Sequence, residues 1–263
     1  MQQALPPGTP RSWIDAAAKN GIAIIQDDSH PMRYRMRKID RKGDTTREVI
    51  ESAQGNVARL VARDGKPLTA EEDDAERQRL NDILKSPQDY LKHEERGSGA
   101  RNYAVQLVKL MPSAMIYTYA PDQPQPAGSR SRQIVIDFRP DPKFHPPTMI
   151  SEVLTGLAGR VWIDSRTQTM TRIEGHVLHA VNFGWGFVAR IYPGGTIELE
   201  QTLVDGKRWA YSRLDEDLTI REVMLHTVSD RTKMTAWDFH LLPQPMSFQD
   251  AVHALLAMPV RPQ

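Results

Sequence analysis

Between residues 195 and 204 apolar and acidic side chains take turns: Ile197 and Leu199 alternate with Glu198 and Glu200. A period of two is the signature of a strand that is wet on one face and buried on the other. The same parity joins Trp185, Phe187, Ala189 and Ile191, with Arg190 on the opposite side. Near the start of the chain, Tyr34 and Met36 alternate with Arg33, Arg35 and Arg37. Strands of this kind are predicted at 32–40, 45–52, 56–63, 113–120, 132–139, 159–164, 170–179, 185–192, 195–204, 207–214 and 220–229. Gly43, Gly55 and Gly65 mark the first turns. "APDQPQPAGSRS" (120–131) is too rich in proline to be helix or central strand, and it joins two of the strands as a loop.

Helices come with their own start signals. Ser12/Asp15, Thr69/Glu72, Ser86/Asp89 and Ser247/Asp250 have capping-box spacing and predict helices over 13–26, 70–85, 87–95 and 248–257. Two more are predicted at 101–111, stopped by Pro112, and at 148–157, after Pro147. Many short strands at close spacing, with helices to cover one face, imply an antiparallel meander in an α+β fold. A large twisted sheet of this type, with about ten or eleven strands, curls into a half-barrel with helices on its concave face. The expected organisation is a flexible lead over 1–12, a single domain over 13–230 and a C-terminal tail with a short helix over 231–263.

The stretch "GRVWIDSRTQTMTRIEG" (159–175) tests this reading, because its Asp164 and Glu174 could be mistaken for the carboxylate pair of a glycosidase. Pairing Arg160 with Glu174, Val161 with Ile173 and Trp162 with Arg172 puts opposite charges and a cation–aromatic pair in water and branched apolar residues inside. The loop is then 165–169, opened by Asp164 as an Asx-type turn. At ~3.3 Å per residue this register separates the two carboxylates by more than ~10 Å. Glycosidase pairs lie at most ~9.5 Å apart. The stretch is a hairpin.

Charge and composition narrow the remaining chemistry. The 263 residues carry a formal net charge of +1, which gives no global field for nucleic acid or acidic membranes. Without cysteine there are no disulfides or thiolate metal sites. No run approaches the roughly 18 apolar residues that span a bilayer. The start, "MQQALPPGTPR", resembles the segment after a signal cleavage site, so an exported, periplasmic protein is expected. "KHEERG" lacks the second histidine of a zinc-protease helix, and His176 and His179, three apart in a strand, point to opposite faces. Most histidines are expected at the surface or rim. No phosphate-binding glycine loop and no nucleophile elbow occurs. The basic stretch 33–47 reads as a solvated strand face. It lacks the interleaved aromatics that stack bases, so nucleic acid is not an expected partner. No metal, no cofactor and no catalytic residue is predicted, and the chain is not expected to be an enzyme.

What is left is the apolar face itself. Tyr34, Met36, Val161, Ile163, Ile173, Trp185, Phe187, Ile197, Leu199, Trp209 and Tyr211 are the candidate lining of a hydrophobic cavity. Scattered methionines (Met32, Met36, Met111, Met115, Met149, Met224) suit a cavity for flexible chains and equally suit the gaps of a dry core.

The order "GRVWID", "MTRIEG", "FGWGFVARIYPGGTIELEQTLVDGKRW", preceded by "RYRMRKIDRKG…ARLVARDGKPLTAEE" and "IVIDFRPDPKF", resembles bacterial exported proteins of the outer-membrane lipoprotein-sorting (LolA/LolB-like) superfamily over about residues 13–230. The resemblance implies a half-barrel closed on its concave side by helices, with acyl chains held or sensed in the cavity. Lipid or an acylated lipoprotein is then the expected ligand, and a membrane or envelope protein a further partner. The alternative is a regulatory or interaction protein with the same fold and a filled core. The helical insert near 69–110 and the segment 230–263 depart from the smallest carriers, and no functional arginine is transferred.

Overall fold

A computed structural model describes residues 7–129, 131–183, 189–222 and 226–259. Trp185, Phe187 and Met224 therefore lie outside the described residues. In chain order the elements are α1 (Pro10–Ile25), β1 (Met32–Asp40), β2 (Gly43–Ser52), β3 (Gly55–Arg63), β4 (Lys66–Pro67), α2 (Ala70–Lys85), α3 (Pro87–Ala114), β5 (Met115–Tyr119) and β6 (Gln133–Pro140). A 3-10 helix (Ile150–Thr155) follows, then β7 (Leu157–Asp164), β8 (Met170–Val177), β9 (Val181–Phe183), β10 (Ala189–Ile191), β11 (Thr196–Val204), β12 (Arg208–Glu222), β13 (His226–Leu241) and α4 (Phe248–Ala257).

The fold is α+β, and among the described residues the strands form one open, antiparallel, 13-stranded sheet. The order is β4-β3-β2-β1-β13-β12-β11-β8-β7-β6-β5, with β10 paired to β12 and β9. It is not a simple meander, since the first strand pairs with the last. The stretches 207–214 and 220–229 do not form two separate short strands, because β12 runs unbroken from Arg208 to Glu222. The helices predicted at 87–95 and 101–111 are one helix, and Pro112 sits inside its last turns. Gly97 and Gly99 within it each cost only about 1 kcal/mol. Packing at both ends overrides that: Tyr90 and Leu91 dock on one core, Leu107 and Leu110 on another. The segment 148–157 yields only the 3-10 helix Ile150–Thr155. Ser86 ends α2, its N–H on the Asp82 carbonyl at 2.9 Å. Helix α1 is capped by Thr9 with Pro10 at its first position, so residues 10–12 belong to the helix and not to a flexible lead.

Chain contacts divide the molecule into two compact units. One contains the chain up to Gln26, Asn102–Thr202 and Leu214–Arg231. The other contains Asp27–Arg101, Leu203–Arg213 and the residues from Thr232 on. The expected tail at 231–263 is integral to the second unit. Its strand β13 pairs with β1, and α4 enters the core.

In the first unit one row of neighbours crosses five strands on a single face: Tyr119, Ile136, Val161, Ile173 and Leu199. Trp13, Ile14 and Ala17 of α1 and Met111 of α3 cover its β5–β7 end. The hairpin pairs Arg160 with Glu174, Val161 with Ile173 and Trp162 with Arg172, as the alternation requires, and the Arg172 guanidinium lies 5.4 Å from the Trp162 ring. Asp164 accepts the N–H groups of Arg166 and Thr167, both at 2.9 Å, and the Ser131 hydroxyl. Burial alone would raise its pKa, but these bonds outweigh burial and hold it below the usual carboxylate range. Asp164 thus fixes a turn.

Trp162 was expected to face water, yet it is 6 % exposed. The proline-rich loop folds over it: Ala120 and Val135 pack on the ring, and its Nε1–H donates to the Pro124 carbonyl at 3.0 Å. The loop is anchored by glutamines that imitate a strand. Gln123 donates to the Val135 carbonyl at 2.7 Å and accepts its N–H at 3.1 Å; Gln125 does the same with Gln133 at 3.0 and 2.8 Å.

In the second unit α2 and α4 cover the face of β2 and β3 that carries Ile50 and Val57. Arg33 and Arg35 of β1 share that face, being opposite Ile50 and Glu48. The helices therefore cover the arginine side, and Tyr34 turns away from them to pack with Met32, Val204, Ala210 and Phe239. The expected wet-outside, covered-inside pattern is reversed here because Arg35 is neutralised in place by Glu48 at 2.6 Å. The helices are held by Arg59, which is 1 % exposed. It donates to the carbonyls of Leu255 and Met258 at 2.8 and 2.7 Å and to Asp73 at 2.6 Å. One guanidinium thereby ties β3 to α2 and to the C-terminal, electronegative end of α4.

Arg59→Met leaves two helix-end carbonyls without their donor in a buried site, and Asp73 held by Arg77 alone. It is expected to destabilise the protein by about 3–5 kcal/mol. Arg59→Lys is expected to recover only part of this, since an ammonium lacks the planar fork. Urea unfolding monitored by circular dichroism checks both.

Candidate functional site

The candidate cavity residues separate by position. Val161, Ile163, Ile173, Ile197 and Leu199 share one face of the first unit. Val161 and Ile163 are fully buried beneath α1, in contact with Ile134, Ile136 and Leu154. Ile173 is half-buried at the margin of that cluster, and Ile197 and Leu199 on β11 are half-buried. The apolar face thus passes from a covered end to a partly covered one. At the junction Gly175 leaves room for its neighbours: a Cβ there would come within 3.0 Å of both Ile197 and Leu157. Beside this strip a second cluster gathers Val177, Val181 and Ile191, with Val153, Leu218 and Ile220 against it. Val153, on the 3-10 helix, packs on both clusters.

Tyr34, Met36, Trp209 and Tyr211 belong to the second unit. Tyr34 stacks at a tilt against Phe239 with ring centroids 5.4 Å apart, and burial pushes its phenol pKa up. Met36 is half-buried on the same face of β1. Trp209 and Tyr211 flank the buried Ala210, so strand parity turns them away from the Tyr34 cluster, and Tyr211 is exposed. Trp185 and Phe187 lie outside the described residues.

Asp27, Ser29 and His30 come together at the α1–β1 connection. Ser29 Oγ lies 2.5 Å from Asp27 Oδ1, and His30 Nδ1 lies 2.8 Å from Ser29 Oγ and 3.1 Å from Asp27 Oδ2. The same ring nitrogen meets both partners. A relay of catalytic type needs the acid on one nitrogen and the hydroxyl on the other. This is a turn. Among the described residues no group of three or more His, Asp or Glu side chains could hold a metal ion.

A hollow of about 300 Å3 lies where β6 and β8 end and β7 begins. Arg139, Asp141, Phe144, Thr155, Leu178 and His179 line it. Phe144 also packs on the buried core of the unit. Asp141 Oδ1 accepts the Lys143 N–H at 2.9 Å, and the Thr155 hydroxyl donates to the Glu152 carbonyl at 2.7 Å. The alternation of strands gives no sign of this hollow, because its residues sit at strand ends and turns. The one local hint is an arginine and an aspartate set among prolines in "FRPDP" (138–142).

No protein-family model matches the chain, and no curated protein matches it. Among solved structures it is similar to one described as an outer membrane lipoprotein-sorting protein domain from Vibrio parahaemolyticus. The identity is 10 %, with 91 % of this chain and 99 % of that one covered at a TM-score of 0.32. A DUF1329 family protein from Desulfovibrio piger is also similar, at 9 % identity, 89 % and 94 % coverage and a TM-score of 0.30.

Glu152, beside Val153, is half-buried: its Oε2, shielded from solvent, has no hydrogen-bond partner among the described residues, and burial raises its pKa. A carboxyl whose folded pKa is raised binds its proton more tightly when folded, so stability falls as pH rises through that pKa. Glu152→Gln is expected to melt at a higher temperature than the parent at pH 7. The gap should close below the ordinary glutamate value of 4.5. Calorimetry at the two pH values checks this.

Proposed function

We propose that the protein binds acyl chains of lipids or lipoproteins, without catalysing a reaction, and that it works in the bacterial periplasm. The observation that carries this reading is the partly covered apolar strip of Ile173, Ile197 and Leu199, continuous with the buried face under α1. The motif resemblance to the lipoprotein-sorting superfamily points the same way. No helix among the described residues is long and apolar enough to cross a membrane. Each methylene moved from water onto such a strip contributes about 0.8 kcal/mol before ordering costs. An acyl chain lying along β8 and β11 would extend beneath α1 only by displacing Ile14 and Ala17, which are buried against the sheet. In this reading α1 is the movable cover.

A second reading has its own support. Ile134, Val161 and Ile163 are 0–1 % exposed, which is the packing of a filled core. A protein filled in this way would act through its surface, on a membrane or envelope protein partner.

Organic extraction of the purified protein followed by lipid mass spectrometry separates the two readings. The acyl-binding reading expects extracted acyl lipid and reloading of the stripped protein with a fluorescent fatty acid. Replacing Ile197 and Leu199 together by Gln should weaken reloading by about tenfold, equivalent to losing about two methylenes of contact. Absence of lipid together with failure to reload would sink this reading and leave the filled-core one.

A further inference from the structure

The hollow at the end of the first unit's sheet has a charge pattern that the apolar strip does not explain. Arg139 and Asp141 both line it, two residues apart on the segment leaving β6. Among the described residues Arg139 makes no ion pair, and the Asp141 carboxylate accepts only the Lys143 N–H. Opposite charges that line one hollow without pairing to each other offer it both a positive and a negative group. His179, whose ring can donate a hydrogen bond, also lines it, and Phe144 and Leu178, the latter 41 % exposed, supply apolar sides. A simple anion would meet Arg139 but be opposed by Asp141. A simple cation would meet the reverse. A ligand carrying both charges a few bonds apart satisfies each.

We infer that this hollow binds a zwitterionic head group of the phosphoethanolamine class, its phosphate toward Arg139 and His179 and its ammonium toward Asp141. Phosphate suits a guanidinium because the planar fork donates two parallel bonds. An ammonium on a carboxylate is a charge-assisted bond of the same strength class. The site lies over Phe144, which packs on the core of the unit, so a chain attached to the head group has apolar surface next to it. The assignment builds on the acyl-binding reading but does not require it, since a soluble zwitterion carries the same charges.

The test is a titration of the whole protein, followed by amide chemical shifts, with soluble phosphoethanolamine, inorganic phosphate and ethanolamine in parallel. Phosphoethanolamine is expected to shift residues around 139–144, 155 and 178–179. Each half-ligand should bind about tenfold more weakly or worse, as expected when one charged contact is lost. Arg139→Ala and Asp141→Asn should each cost about tenfold for phosphoethanolamine. Asp141→Asn should at the same time improve binding of phosphate alone. Equal binding of phosphate and phosphoethanolamine, no shifts at these residues, or unchanged affinity in both variants would overturn the assignment. Arg139 is exposed and Asp141 half-buried, so both variants should fold, and their melting temperatures control for this. Monodisperse lysophosphatidylethanolamine identifies the source. Tighter binding than phosphoethanolamine marks a lipid head group. Equal binding marks a free zwitterion, which supports the hollow while counting against the acyl-binding reading. Acyl lipid recovered by extraction, with no phosphoethanolamine shifts, would do the opposite.

Discussion

A strand wet on one side and buried on the other constrains every neighbour to the same parity, since a one-residue slip exchanges core for solvent. In the first unit the apolar row runs through five strands, from Tyr119 to Leu199, and the other face is wet except where the proline-rich loop covers Val135 and Trp162. The opposite face shows its complement. Arg172 meets Glu174, Glu198 and Glu200 at 2.5–2.8 Å, and Arg160 meets Asp137 at 2.5 Å. Individually such exposed pairs contribute little. Together they make any other register electrostatically wrong, and so they keep the apolar strip intact as a surface on which a ligand or a helix can lie.

The second unit solves its packing differently. Its helices sit over the strand face that carries arginines, and this is tolerable because the cations are matched where they stand. Arg35 is paired with Glu48, and Arg59 is spent on Asp73 and on the end of α4. Glu76, itself buried, accepts the Leu60 N–H at 2.7 Å and holds Arg79, so α2 is bonded directly to β3. Since β1 pairs with β13, the unit joins an early and a late stretch of the chain, and many of its contacts are far apart in sequence. That topology is slow to assemble, because loop closure must precede the contacts that reward it.

The two candidate surfaces of the first unit divide the work a lipid binder needs. The strip on β8 and β11 offers apolar area without direction. The hollow beyond β6 offers two opposite charges with direction beside the smaller apolar sides of Phe144 and Leu178. Affinity for an acyl chain would come from the first and choice of head group from the second, the usual division between burial and a few placed polar groups.

The alternation of Ile197, Leu199, Val161 and Ile173 with charged neighbours determined the antiparallel α+β class, and the charge matching within 159–175 determined the hairpin register from Arg160 to Trp162, beyond which a shift pairs Ile163 with Met170. Both are local: a strand's parity and its nearest partner are written in consecutive positions. The capping pairs at Thr69 and Ser247 were legible for the same reason, and so was the helix start at Pro87 after Ser86, a residue that also closes α2 through its N–H on the Asp82 carbonyl. Only the tertiary structure decided which face the helices cover, that residues from Thr232 on belong to a core, that a glutamine-anchored loop buries Trp162, and that Arg139, Asp141 and His179 share a hollow. Each of these depends on contacts between segments tens to hundreds of residues apart. Period and propensity carry no information about which of several amphipathic surfaces will meet.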